Sequence, residues 1–279
     1  MKTKLTPVQK IAFGGVLIVL NVLLTRLPGL AQVGPAFSFN RIGLGVGVVI
    51  FSSLTLGPGY GALVGVAGDA LGWLVMGQFT GIFNFFLSIY FALVGVFPWL
   101  LGKLLGLIKG SEKADRIVLP ILYLSLYATL VALLWGTAVF DGQFAKWNME
   151  PISTKIVLTV VSFALAALTF VGLWAALRYA KRRADRLSGI PNPYRVGIIC
   201  LLTEVFAILI KPLAFVLYCQ LLLGQPISEA WHITYEGLIL LNLLFGFADI
   251  PLNSLFVAFA CIISKPFLRP VGPKTKKEE

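Results

Sequence analysis

Residues 57–73 read Gly57-Pro58-Gly59-Tyr60-Gly61-Ala62-Leu63-Val64-Gly65-Val66-Ala67-Gly68-Asp69-Ala70-Leu71-Gly72-Trp73. The Gly57-Pro58-Gly59 punctuation predicts a tight uncharged turn, so the apolar runs on either side form a close hairpin. Gly61, Gly65, Gly68 and Gly72 recur at spacings of 4, 3 and 4, which places them on one smooth helical stripe. Such a stripe lets another helix backbone approach closely inside a bilayer. Packing explains the glycines but not Asp69, an ionisable group in mid-helix. In a membrane helix such a group is costly and faces an interior site or a partner.

The surrounding chain is a membrane domain. Of its 279 residues 58% are hydrophobic and 13% charged, and its mean hydropathy is +0.90. That composition excludes an ordinary soluble domain. Eight apolar runs, at about 9–27, 42–57, 61–77, 83–105, 117–139, 153–177, 196–223 and 235–263, approach the roughly 20 residues that a spanning helix needs. The expected fold is therefore all-α with about eight transmembrane helices. The run at 9–27 is long for a signal-peptide core, so an uncleaved first helix is expected.

Charge sets the orientation. Lys2, Lys4 and Lys10 precede the first run, and Lys103, Lys109, Lys113 and Arg116 lie between the fourth and fifth. Arg178, Lys181, Arg182, Arg183, Arg186 and Arg195 lie between the sixth and seventh, and Lys265, Arg269, Lys274, Lys276 and Lys277 follow the eighth. These are 18 of the 23 basic residues, all on one side, so both termini are expected in the cytoplasm of a bacterial inner-membrane protein. The net charge of +11 is thereby a topology signal, and the short loops cannot build a nucleic-acid-binding face. Cys200, Cys219 and Cys261 lack metal-ligand spacing and read as buried apolar thiols.

The most basic loop also carries Gly189, Pro191 and Pro193. It divides the chain into residues 1–190, a six-helix membrane core, and residues 191–279, a further helix pair with a basic tail, although the last two spans could also pack directly on the first six. No internal repeat supports an inverted-repeat transporter. The Pro28–Asn40 segment reads as an outer loop, either a lid or a plain connector.

Two groups of polar residues enter the bilayer. The early spans carry Asn40 and Arg41 at the outer start of the second run, Asp69 in mid-helix, and Trp73, Gln78 and Asn84 near the outer end of the hairpin. Arg41 either holds a ligand carboxylate in a bidentate fork or anchors at the headgroups. Trp73, Gln78 and Asn84 either stack on and hydrogen-bond a heteroaromatic ring or form part of the interfacial belt. In the last two spans, Glu204 and Lys211 lie two turns apart, and Asn242, Gly246, Asp249 and Asn253 make a polar stripe. Lys211 and Asp249 fall at similar depth, so pairing them removes two costly lone charges, as a structural pair or as part of a substrate or proton path. Pro212 and Pro251 beside them loosen the helices and free backbone carbonyls.

Enzymatic chemistry is not encoded. The single histidine, His232, lacks a second ligand at metal spacing, and no nucleophile elbow, phosphate-binding loop or zinc signature occurs. Asp141, Glu150, Glu229 and Glu236 fall near the outer surface without forming an acid–base couple. No cofactor or metal is expected, and energy from ATP would need another subunit.

Asn40-Arg41-Ile42, the run Gly57-Pro58-Gly59-Tyr60-Gly61-Ala62-Leu63-Val64-Gly65 and Asp69-Ala70-Leu71-Gly72 resemble the substrate-binding S components of energy-coupling factor (ECF) transporters. The pattern is similar to the folate-type branch, with its Gly-Pro-x-x-Gly-Ala-x-x-Gly-x-x-x-Asp-x-x-Gly run. Phe83-Asn84-Phe85-Phe86 and Leu93-Val94-Gly95 fit the next helix more loosely, and the resemblance covers about residues 10–110. It implies a small helical membrane protein that binds a vitamin-like nutrient from outside and passes it inward with a T subunit and an ATPase pair. The chain departs from the family in having eight expected spans where six are usual. It also carries Ala12, Gly14 and Gly15 where the first helix often has an Ala-x-x-x-Ala patch. Two further readings stand beside this one: a non-transporting S-like sensor or assembly scaffold, and a solitary secondary transporter using Glu204, Lys211 and Asp249.

Overall fold

A computed structural model describes residues 5–26, 43–76, 83–107, 112–136, 150–184, 191–230 and 233–265. They form α1 (Pro7–Arg26), α2 (Gly45–Leu56), α3 (Pro58–Met76), α4 (Phe85–Leu107), α5 (Glu112–Gly136), α6 (Pro151–Ala184), α7 (Pro193–Leu222), the single turn α8 (Ile227–Ala230) and α9 (Tyr235–Ser264). The described residues contain no strand, and α1, α4, α5, α6, α7 and α9 are long and apolar enough to cross a membrane. The protein is an all-α membrane protein.

Local chemistry starts these helices. Thr6 and Gln9 form a reciprocal box: the Thr6 N–H donates to Gln9 Oε1 at 3.0 Å and the Gln9 N–H to Thr6 Oγ1 at 3.3 Å. Pro7, Pro58, Pro151 and Pro193 each occupy the first helical position, where the missing N–H costs nothing. Asn192 accepts from the Tyr194 N–H at 3.2 Å and Thr234 from the Gly237 N–H at 3.2 Å, capping α7 and α9. Helix α6 has 34 residues, about 50 Å at 1.5 Å per residue. That exceeds a hydrocarbon core of about 30 Å, so its basic Lys181-Arg182-Arg183 end projects past the apolar layer.

The expected Gly57–Gly59 turn is tighter than its three residues suggest. Gly57 alone separates α2 from α3, at φ 107°, a conformation that favours glycine. The two helices pack on each other, and α1 lies against both. The glycine stripe serves three neighbouring helices. At Gly61 an added Cβ would collide with the Gly95 carbonyl oxygen of α4 and with Ser53, and at Gly65 it would stand 2.6 Å from the Phe91 carbonyl oxygen. At Gly68 it would meet Asn21 of α1 instead. Lipid supplies no hydrophobic drive between helices, so this backbone proximity holds α3 and α4 together.

Helices α7 and α9 form the centre. Their apolar windows are 56% buried, against 17% for α1 and α6. One apolar cluster joins them to α5 and α6 through Leu130, Leu177, Leu201 and Phe247; a second joins them to α1–α4 through Val49, Val64, Val94 and Cys200. The last two long helices thus pack directly on the earlier ones. Cys200, Cys219 and Cys261 are free and buried.

Both internal prolines of this central pair are accommodated within continuous helices. Pro251 removes the donor to the Phe247 carbonyl four residues earlier. The Tyr123 hydroxyl of α5 donates to that oxygen at 3.3 Å and lies 2.8 Å from Thr169 Oγ1 of α6. A neighbouring helix thereby satisfies what the proline freed. Pro212 likewise deprives the Ile208 carbonyl of its helical donor.

Candidate binding cavity

The site grows from an uncapped helix start. Leu44 precedes α2 and supplies no side-chain cap, so the first N–H groups of α2 need acceptors from elsewhere. Helix α9 supplies an acceptor to Gly47 in the first turn and another to Gly43, just before the helix. Asn253 Oδ1 accepts from the Gly47 N–H at 2.8 Å, and Asp249 Oδ1 accepts from the Gly43 N–H at 3.2 Å. The positive end of the α2 dipole also favours the Asp249 carboxylate. The amide of Asn253 donates to Glu204 Oε1 of α7 at 2.7 Å, which links α2, α9 and α7 in one polar chain. Asn253 is fully buried and Glu204 nearly so. The spacing of 249 and 253 puts both acceptors on one face of α9.

The second part is built on α3 and its neighbours. Asp69 Oδ2 accepts from the Ser88 hydroxyl of α4 at 2.8 Å. Asn21 of α1 is buried, donates to the Val64 carbonyl at 3.1 Å and accepts from Thr25 Oγ1 at 3.1 Å. A glycine at position 68 makes room for that amide, because a Cβ there would overlap it.

These two parts share one cavity of about 290 Å³. Asp69, Glu204, Lys211 and Asp249 all line it, with Asn21, Asn242 and Tyr90. Lys211 and Asp249 lie within electrostatic reach of each other, and Glu204 within reach of both. Three acids and one lysine set charged groups into a small space whose walls also include apolar Phe91, Ile208 and Phe215. Such a site suits a small solute bearing charged and hydrogen-bonding groups. Among the described residues, no three His, Cys, Asp or Glu side chains converge to hold a metal ion.

The cavity occupies one half of the bundle. Asn21 and Thr25 are at the end of α1, Gly43 and Gly45 at the start of α2, and Leu87 and Tyr90 at the start of α4. Asp69 is in the second half of α3, Lys211 and Phe215 in the second half of α7, and Asn242 to Asp249 in the first half of α9. The basic helix ends, with Lys10, Lys103, Lys113, Arg195 and Lys265, belong to the opposite half.

In the sequence Asp69 and the Glu204–Lys211–Asp249 group read as separate features; the fold brings all four to one space. Trp73 lies outside the cavity lining and packs edge-on against Phe83 with centroids 5.3 Å apart. Asn84 also lies outside it, with a buried Oδ1 that has no hydrogen-bond partner among the described residues. Asn40, Arg41, Gln78, Asp141, His232 and the Pro28–Asn40 loop lie outside the described residues. Asn21 and Tyr90 are cavity residues that the sequence reading does not single out. Asn21 carried a usable signal, as an amide in the apolar run of α1, whereas Tyr90 sits unremarkably in an aromatic-rich run.

The chain matches no family model, no curated protein and no solved structure.

Proposed function

We propose that this chain is a membrane-embedded substrate-binding protein for uptake of a small, vitamin-like nutrient across a bacterial cytoplasmic membrane. The observation that carries the reading is the convergence of Asp69, Glu204, Lys211 and Asp249 on one cavity, in the half of the bundle away from the basic helix ends. With the basic ends inside, that half faces outward. A nutrient would exchange its water for these fixed groups, which are already oriented by Ser88, Asn253 and the Gly43 N–H. Energy would come from a separate ATPase pair through a T subunit, as the S-component resemblance of residues 40–72 suggests. The test is a panel of water-soluble vitamins and precursors added to the purified protein. A single compound that saturably raises the unfolding temperature supports the reading, and a flat panel counts against it.

A solitary secondary transporter is the second reading, favoured by the three acids and one lysine sharing the cavity. Intramembrane groups of this kind carry protons or ions in such transporters. Uptake into proteoliposomes lacking any ATPase, driven by a proton gradient and lost in Asp249→Asn, would select it. A sensor or assembly scaffold would bind ligand without moving it under either condition.

A further inference from the structure

A second recess lies away from the polar cavity, on the outer face of α6 near its basic end. It is a groove of about 440 Å³ between α6 and Pro120 of α5. Phe170, Trp174, Arg178 and Arg182 recur every four residues along it and so share one face of α6. Phe170 and Trp174 form the apolar half, with ring centroids 6.0 Å apart. Arg178 and Arg182 form the other end, where the apolar run of α6 gives way to Lys181-Arg182-Arg183. Arg116 of α5 stands over Trp174, its guanidinium carbon 5.4 Å from the ring centroid.

The nearby acids are already committed to other bases. Glu112 pairs with Lys181 at 2.9 Å, and Asp115 pairs with Arg195 at 3.0 Å. Among the described residues, Arg116, Arg178 and Arg182 make no ion pair, and all three are exposed. The same face of α6 continues into exposed Val160, Leu168 and Val171, the surface that meets lipid. An occupant must therefore carry negative charge at one end and an apolar chain at the other.

We propose that this groove holds an anionic glycerophospholipid. Its phosphodiester sits between Arg178 and Arg182, with Arg116 adding charge, and an acyl chain runs along Trp174 and Phe170. Planar guanidinium groups fork onto phosphate oxygens, and basic pockets between membrane helices select anionic headgroups. The site is independent of the nutrient cavity, and either can exist without the other.

Native mass spectrometry of the purified full chain in detergent tests this, with phosphatidylglycerol and phosphatidylcholine of matched acyl chains in equal amounts. Each basic residue near a membrane surface favours an anionic lipid by about fivefold. The expected result is a phosphatidylglycerol adduct favoured over phosphatidylcholine by at least that factor. Arg178→Gln with Arg182→Gln should lower that ratio by about fivefold or more. Ala175→Trp, which fills the groove and keeps both arginines, should also remove the adduct. Lys10→Gln with Lys103→Gln removes equal charge on α1 and α4, away from α5 and α6, and should preserve the preference. Millimolar inorganic phosphate should not displace the lipid. Equal retention of both lipids by the wild type overturns the proposal, as does an adduct that survives both groove variants. Loss of the preference in the Lys10/Lys103 control, or displacement by phosphate, overturns it too.

Discussion

Asn253 donates its side-chain amide to Glu204 Oε1 at 2.7 Å while its Oδ1 caps α2 through the Gly47 N–H at 2.8 Å. One buried amide therefore satisfies an acid on α7 and a helix start on α2. Asn253→Leu removes both contacts at once and leaves Glu204 and the Gly47 N–H without them. Leaving a buried polar group without its hydrogen bond costs about 1–3 kcal/mol, and losing a cap about 1 kcal/mol. The expected loss is about 2–4 kcal/mol, read as a lower unfolding temperature in detergent. Unchanged stability would mean that this polar chain does not tie the helices together.

The α3–α4 contact separates glycines that pack from Gly59, which lies in the open first turn of α3. Gly61→Ala or Gly95→Ala drives a methyl group into the opposing backbone, which cannot move aside as a flexible side chain would. Both variants should fall by about 2 kcal/mol or more, or fail to give a monodisperse peak, as overpacking in a tight core does. Gly59→Ala meets nothing within 4 Å and should behave as wild type. Equal behaviour of all three variants in size-exclusion chromatography and thermal unfolding would contradict the close approach.

Pro251 and Tyr123 should be energetically coupled. With proline at 251, Tyr123→Phe strips the Phe247 carbonyl of the hydroxyl at 3.3 Å and should cost about 1–2 kcal/mol. Pro251→Ala restores a helical N–H to that carbonyl, so Tyr123→Phe should cost less in its presence. A double-mutant cycle measures the difference; strict additivity would show that the hydroxyl is not acting for the missing donor.

Orientation can be tested by chemistry, because the three native thiols are buried and should react slowly. Thr25→Cys, at the cavity end of α1, should be labelled by a membrane-impermeant maleimide in intact cells. Lys113→Cys, at the exposed basic start of α5, should be labelled only after permeabilisation. The reverse pattern would place the cavity on the cytoplasmic side.

The helices were legible in the sequence because apolar run length and glycine or proline punctuation are local signals. Gly57 marked the α2–α3 break, and the proline-led starts at 58, 151 and 193 lie close to the expected boundaries. Lengths were less legible: the run at 153–177 continues as helix to Ala184, since lysine and arginine are good helix formers outside the apolar layer. Individual site residues such as Asp69 and Asp249 stood out as charges in apolar runs. Their meeting did not, because no single run states which helices become neighbours. That information lies in pairwise fits, such as Gly68 against Asn21 and Gly47 against Asn253. Asn253 was visible as part of a stripe, but its role in capping α2 depends on an N-terminus more than 200 residues away.

The central claim is that the shared cavity binds a nutrient through its charged groups, and Asp69→Asn tests it with little change in shape. The substitution keeps an acceptor for the Ser88 hydroxyl and removes the charge, so folding should persist. Equilibrium binding of the compound found in the vitamin panel should weaken by about 10- to 100-fold, the equivalent of one lost charged hydrogen bond. The unfolding temperature without ligand should stay close to wild type. Undiminished affinity in Asp69→Asn, or no saturable ligand for the wild type, would contradict the account.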